Sequence, residues 1–273
     1  MHPTPIKQPV AKSKWRRALG KQYFIGKKLC TNLFSTKKFA KIQAIHPCIY
    51  TVFKHQSVLL RPLKNVDMYL QYNKIINLKI AIQHLNNVVI KPGQVFSFWH
   101  LVGKPSVKKG YQQGLALQNG TICTSIGGGL CQLGNLLYWM ALHSPLSITE
   151  RWRHGFDVFP DINRQIPFGC GATLSYNYID LQFTNTTNYT FAFKLYVDEQ
   201  FLHGTLLSDV KVNKKYTIIE TDHCFKMQWW GGYTRHNTIN RAIYCLDSKS
   251  TIQQFITENN AIMMYTPFIE NIQ

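Results

Sequence analysis

The stretch at residues 125–143 restricts the fold more than any other part of the chain, and it reads SIGGGLCQLGNLLYWMALH. Three consecutive glycines come just before Leu130 and Cys131, and an apolar run follows. Apolar residues recur here at the spacing of a helix, at Leu130, Leu133, Leu136, Leu137, Met140 and Ala141. The pattern predicts a glycine turn followed by a buried helix, with Cys131 in its first turn.

Cys131 has two interpretations at this position. A thiol in the first turn of a helix lies near unpaired backbone N–H groups and the positive end of the helix dipole, which favour the nucleophilic thiolate. Glycines without a Cβ would also let a substrate carbonyl approach backbone N–H donors, as in an oxyanion hole. The alternative is a small buried residue that only packs, because free cysteine is among the most buried residue types.

The candidate base for Cys131 is one of ten histidines. His154 lies in the segment ERWRHGFDVF, where charged residues interrupt an apolar strand. These charged residues are Glu150, Arg151, Arg153 and Asp157. We predict that His154 acts as the base and that Asp157 or Glu150 orients its imidazole, as the third member of a catalytic triad does. The alternative is a hydrogen-bonded structural histidine.

The seven cysteines form no CxxC pair and no regular disulfide framework, which fits a reducing compartment. A metal site built from Cys123, Cys131, Cys170 and a histidine is conceivable, but the spacings match no zinc pattern. No P-loop occurs, and no GxGxxG follows a strand. We therefore expect neither a metal nor a cofactor.

Positive charge is concentrated at the N-terminus. The formal net charge is +18, and 14 of the 31 Lys and Arg residues precede the first acidic residue, Asp67. Residues 13–41 place apolar side chains near helical spacing with cations between them, which predicts a basic amphipathic helix. Such a helix either lies in an anionic membrane surface or docks on its own domain with a solvated basic face. Nucleic acid is an unlikely partner, since no nucleic-acid-binding module accompanies the charge.

Hydrophobic periodicity predicts further elements. We expect a strand within residues 48–60, a helix over 73–87, a turn at Pro92 and Gly93 before a short aromatic strand, and β-hairpins between 172 and 212. The segment FITENNAIMMYTP predicts a short helix that ends at Pro267.

The predicted fold class is α+β, mostly antiparallel β in the second half, with a helix after the GGGxC turn and a basic helical N-terminal segment. The predicted division is a basic, partly helical segment at 1–66 and a domain at 67–273. No export signal or membrane-length apolar run is visible, so the expected location is cytoplasmic, peripheral at the inner membrane face.

Several long motifs resemble the VanW family, which is associated with vancomycin resistance, and they occur in that family's order. They cover residues 81–111, 126–146, 150–185 and 230–241, with NAIMMYTP near the end. The resemblance implies cell-wall peptide chemistry, because extracellular members are linked to L,D-transpeptidase activity. In that reaction the cysteine of GGGxCQ takes a peptidoglycan stem peptide as an acyl-enzyme and passes it to a second amine.

Carried onto this chain, the resemblance makes Cys131 the nucleophile and His154 its histidine, with a peptidoglycan peptide or precursor as the partner. Six residues are candidates for oxyanion or substrate binding: Gly127, Gly128, Gly129, Gln132, Arg151 and Arg153. The chain has Gly134, Gly155 and Cys170 where the family commonly has serine. The alternative function is a non-enzymatic accessory or binding protein at the cytoplasmic membrane face, using the basic N-terminus and the Trp229–Trp230 pair.

Overall fold

The structure is a computed structural model that describes residues 10, 13–44, 47–61, 66–118, 120–158, 160 and 165–267. The helices are α1 (Lys14–Leu33), α2 (Met68–Gln83), α3 (Phe98–Val102) and α4 (Cys131–Leu142), with a 3-10 turn at Val107–Lys109. The strands before α4 are β1 (Lys41–Ile42), β2 (Tyr50–Val58), β3 (Val88–Ile90), β4 (Val95–Ser97), β5 (Gln113–Gln118) and β6 (Thr121–Ile126). The strands after α4 are β7 (Ser147–Glu150), β8 (Phe156–Asp157), β9 (Gln182–Thr184), β10 (Phe191–Val197), β11 (Phe201–Ser208), β12 (Lys214–Met227), β13 (Tyr233–Cys245) and β14 (Ser250–Met263).

A five-stranded antiparallel sheet in the order β1-β3-β10-β11-β2 supports the core. Helix α4 packs against β11 so closely that a Cβ on Gly204 would lie 2.7 Å from the Met140 Cε atom. Aromatic rings join this core to β4 and β9, since the ring centroid of Phe193 on β10 lies 5.6 Å from that of Phe96 and 5.8 Å from that of Phe183. Burial of these apolar side chains holds α4 in a fixed position on the sheet.

Three further sheets complete the described part of the chain: β4-β9-β7, the hairpin β5-β6, and β12-β13-β14-β8. In the last of these, β8 runs parallel to β14 and the other pairs are antiparallel. The predicted helix within 255–267 is wrong, because these residues belong mostly to β14. Asn259, Ala261 and Met263 are buried, and Asn260 and Ile262 between them are more exposed. This period of two follows from pairing with β13, which overrides the local helical pattern.

The predicted α+β class is confirmed, with antiparallel strands dominating the second half. The predicted helix after the glycine turn is α4, and α1 lies within the basic N-terminal segment. Strands β1 and β2 precede residue 66 and yet belong to the five-stranded sheet. The division into a segment at 1–66 and a domain at 67–273 stays a prediction. No helix in the described ranges is both long enough and apolar enough to cross a bilayer.

Candidate functional site around Cys131

The glycine turn sets Cys131 as the first residue of α4. Gly127 and Gly129 have φ angles of 76° and 91°, a left-handed backbone that side chains disfavour. The N–H groups of Gly127 and Gly128 donate to the carbonyls of Gln112 and Ser125, each at 3.0 Å. Within the described residues, the Gly129 N–H has no such partner. Of the three glycines predicted to face an oxyanion, only Gly129 therefore offers a free donor.

A segment from the second half of the chain covers the Cys131 sulfur. We call residues 169–174 the covering segment. The Leu174 N–H donates to Cys131 Sγ at 3.4 Å, and the thiol lies 3.9 Å from the Leu174 carbonyl oxygen. The close approach also explains Gly134, where a Cβ would lie 2.8 Å from Leu174 Cδ1.

Side chains on both sides hold the covering segment in place. The Asn135 Oδ1 atom accepts from the Ala172 N–H at 2.7 Å. Arg151 donates through Nε to the Gly171 carbonyl at 2.8 Å and through Nη2 to the Gly169 carbonyl. These contacts fix the backbone directly before Leu174, so the cover over Cys131 is part of the folded structure.

Burial raises the pKa of the Cys131 thiol, and the backbone N–H groups of Leu174 and of Cys131 itself lower it by less. The lowering of the thiol pKa that is expected at a helix start is therefore outweighed by burial. The physical reason is that a thiolate loses its hydration under the covering segment, and desolvation exceeds the effect of a helix terminus. The folded chain holds Cys131 as a neutral thiol at neutral pH.

Two buried polar residues on α2 support the glycine turn. The Asn77 amide donates to the carbonyls of Gly128 at 2.9 Å and Gln112 at 3.0 Å, and its oxygen accepts from the Gln112 N–H at 2.8 Å. The stem of Lys74 lies against Gly129, where a Cβ would be 2.3 Å from Lys74 Cγ. Both side chains therefore constrain the backbone that leads to Cys131.

Among the residues that the structure describes, the buried Lys74 ammonium has no carboxylate partner. It donates to the carbonyl of Leu59 and to Gln71 Oε1, the latter at 2.8 Å. Burial and the nearby Arg61 lower its pKa to about 8. The sequence analysis missed these residues, although Gln71, Lys74 and Asn77 recur every three residues along α2 and so share a face.

Three side chains predicted to bind substrate contact the protein instead. Gln132 donates to Ser57 Oγ at 2.9 Å and to the Val58 carbonyl at 2.8 Å on β2. Arg153 donates to the Asn260 carbonyl, and Arg151 holds the covering segment as described above. Their hydrogen-bonding groups anchor backbone in the folded chain.

His154 has the protonation state that a base requires. Burial and the adjacent Arg153 lower its pKa, which favours the neutral imidazole. Its ring makes no hydrogen bond within the described ranges. Among the described residues, His154 is therefore a neutral ring that no hydrogen bond orients.

The two predicted orienting carboxylates have other partners. Asp157 accepts from the Tyr265 hydroxyl at 2.8 Å and pairs with Arg235 at 3.4 Å. Glu150 pairs with Lys28 on α1 and accepts from the Asp180 N–H at 3.2 Å. Both carboxylates pair with cations from elsewhere in the chain, and the orientation of His154 by one of them stays a prediction.

Residues 73–207 match a family model described as VanW like protein. The chain therefore contains a segment similar to the VanW family. The matched segment contains the glycine turn, Cys131, the covering segment and His154. Helix α1 and strands β12–β14 lie outside the VanW match, and so do both partners of Asp157.

Two curated proteins are similar to the chain. One is the "Vancomycin B-type resistance protein VanW" of Enterococcus faecalis (strain ATCC 700802 / V583), 38% identical over 169 residues, which are 62% of this chain and 62% of that protein. The other is the "Uncharacterized protein YoaR" of Bacillus subtilis (strain 168), 30% identical over 112 residues, 41% of this chain and 35% of that protein. The chain thus spans less than two thirds of either relative. No solved structure matches it significantly.

The described ranges contain no group of three or more His, Cys, Asp or Glu side chains arranged for a metal ion. A polar concavity lies between Pro145, Tyr189, Val212 and Tyr216, and no predicted site residue lines it. The matched segment therefore contains a covered thiol, a backbone N–H at Gly129 that has no acceptor among the described residues, and the neutral imidazole of His154.

Proposed function

We propose that this protein acts in resistance to vancomycin-type antibiotics as a cysteine-dependent acyl transferase on cell-wall peptides. The similarity to the vancomycin resistance protein of E. faecalis supports the resistance role. The acyl-transfer role rests on one observation: Cys131 opens α4 two residues after the unpaired N–H of Gly129. A nucleophile beside a backbone donor is what a tetrahedral intermediate requires.

The proposed reaction has two balanced steps. His154 takes the thiol proton, and the Cys131 sulfur attacks a carbonyl carbon of the stem peptide. The C–N bond breaks, the leaving amine receives the proton from His154, and a thioester remains. A second amine then attacks the thioester carbonyl and gives up a proton, the C–S bond breaks, and the thiol is restored.

Reaction requires the covering segment to move, so we expect slow alkylation of Cys131. Iodoacetamide should modify it more slowly than the exposed Cys30 at pH 7. The rate should still be rising above pH 9, because burial raises the pKa and keeps the thiolate scarce. Mass spectrometry of peptides after timed labelling measures this.

Loosening the cover should speed this labelling. Asn135→Ala removes the acceptor for the Ala172 N–H, and we expect about five- to tenfold faster modification, the effect of one hydrogen bond. Asn73→Ala is the matched control, since Asn73 donates to the Gln113 carbonyl at an exposed site. Rapid labelling of wild-type Cys131 at pH 7 would contradict a closed thiol.

The transfer itself is tested with muropeptides and a free amine acceptor. We expect wild-type protein to yield exchanged product and a transient acyl adduct on Cys131, both seen by mass analysis. Cys131→Ala should yield neither. Cys48→Ala is the control, because Cys48 is a buried free cysteine whose thiol bonds to the Thr190 carbonyl, far along the chain. Equal turnover by Cys131→Ala would refute the proposed nucleophile.

A second candidate is a binding or accessory protein without chemistry at the cytoplasmic membrane face. The observation that favours it is the closed state of the site. The Leu174 N–H donates a hydrogen bond to the Cys131 sulfur, and the side chains of Gln132 and Arg151 donate hydrogen bonds to other residues of the chain. Absence of both product and adduct, with a folded wild-type chain, would favour this candidate.

A further inference from the structure

In the described part of the chain, the contacts of helix α1 with the rest of the protein lie on one side. Lys28 pairs with Glu150, and Asn177 Nδ2 donates to the Ile25 carbonyl at 3.5 Å. The rings of Phe24 and Tyr178 lie 5.6 Å apart. Phe24, Ile25 and Lys28 lie within about one helical turn of one another, so they share one flank of α1.

The opposite flank of α1 is apolar and open. Trp15 is 80% exposed, Leu19 67%, Tyr23 65% and Leu33 78%. Steps of four residues bring Trp15, Leu19 and Tyr23 onto one face, and Leu33 returns to the same direction after five turns. We call these four residues the apolar face of α1. The helix is docked, but with its apolar side outward, opposite to the arrangement that buries this side against the domain.

Charge limits what can cover this face. Helix α1 contains no acidic residue, and Arg16 and Lys27 are exposed beside the apolar face. A second copy of the chain would bring two sets of like charges together, which costs free energy. An anionic lipid surface instead offers hydrocarbon to the apolar face and phosphate groups to the flanking cations.

We infer that α1 binds the surface of an anionic phospholipid bilayer, with its apolar face inserted at the level of the headgroups. The inference is independent of whether Cys131 reacts. Helix α1 is attached to the domain at Glu150, Asn177 and Tyr178. These residues lie close in sequence to Trp152 and Thr173, whose backbones are joined by a hydrogen bond from the Thr173 N–H to the Trp152 carbonyl. Membrane binding thus tethers the domain beside its covering segment.

Vesicle sedimentation of the full-length chain tests the inference. We expect binding to phosphatidylcholine vesicles that contain about 30% phosphatidylglycerol, weak binding to pure phosphatidylcholine, and a decrease with added salt. Trp15→Ala should reduce the partition coefficient at least about tenfold. Phe255→Ala should leave it unchanged, and it is a matched control because Phe255 is a large aromatic side chain that is 65% exposed on β14.

The charge contribution has its own pair of variants. Arg16→Gln with Lys27→Gln should weaken binding roughly five-fold per cation, whereas Lys214→Gln with Lys215→Gln on β12 should have little effect. Cys131→Ala should bind vesicles as the wild type does, which separates this inference from the proposed reaction.

Three outcomes would overturn the inference. Equal vesicle binding by wild type and Trp15→Ala would mean that the apolar face takes no part. Failure of the folded wild-type chain to bind the anionic vesicles would remove the lipid partner. Dimers in sedimentation velocity that Trp15→Ala abolishes, without vesicle binding, would assign the face to a second copy.

Discussion

Gly128→Ala is expected to destabilise the folded chain by about 3 kcal/mol or more, at the upper end for overpacking of a core. A Cβ at Gly128 would lie 2.1 Å from the Gly114 carbonyl oxygen and 2.2 Å from its carbon. Both are backbone atoms of β5, which is paired with β6, so neither can rotate away. Urea unfolding followed by circular dichroism measures the change.

Gly155→Ala is the matched control for this prediction. No heavy atom lies within 4 Å of a Cβ built there, and its φ lies outside the left-handed region. We expect a change in the free energy of unfolding within about 0.5 kcal/mol. Similar losses in the two variants would contradict the contact between the glycine turn and β5.

Local signals were sufficient to predict the glycine turn and α4. Helical spacing of leucines and the position of Cys131 depend on neighbours within a few residues, and such periodicity is visible in the sequence. The strand at β2 and the helix at α2 were predicted for the same reason. These signals specify the type and approximate position of an element, and the structure agrees there.

The environment of Cys131 could not be predicted in this way. Its sulfur is covered by Leu174, 43 residues away along the chain, and no pattern in the sequence specifies that contact. The contact reverses the expected direction of the pKa shift, because desolvation by a distant segment exceeds the effect of the adjacent helix terminus. The same limit applies to β14, whose conformation depends on pairing with β13.

Carboxylate partners were likewise decided by tertiary structure. Asp157 lies three residues from His154 but bonds to Tyr265, 108 residues away. Glu150 and Asp157 lie in the same segment as His154. In the folded chain, however, Glu150 pairs with Lys28 on α1 and Asp157 pairs with Arg235 on β13. Proximity in sequence was therefore a poor guide to the hydrogen-bond partners of these carboxylates, whereas it was a good guide to the helix.

Lys74 is expected to make stability depend on alkaline pH. Its pKa is about 8 in the folded chain against 10.5 for the unperturbed side chain. Between these values the unfolded chain binds more protons than the folded chain, so stability rises with pH across this window. Across the whole window, the free energy of unfolding should rise by about 3 kcal/mol. Because thiols and tyrosines also titrate here, the measurement is the difference in unfolding free energy between wild type and Lys74→Met at each pH.

The difference between wild type and Lys74→Met should increase in favour of the wild type from about pH 8 to pH 10.5. Lys79→Met is the control on the same helix, since Lys79 is exposed, and its difference curve should be flat. A flat curve for Lys74→Met would mean that the ammonium keeps enough hydration to stay charged beside the glycine turn. A rising curve would mean that the buried Lys74 cation destabilises the folded chain at neutral pH. The stem of the same side chain packs against Gly129, two residues before Cys131.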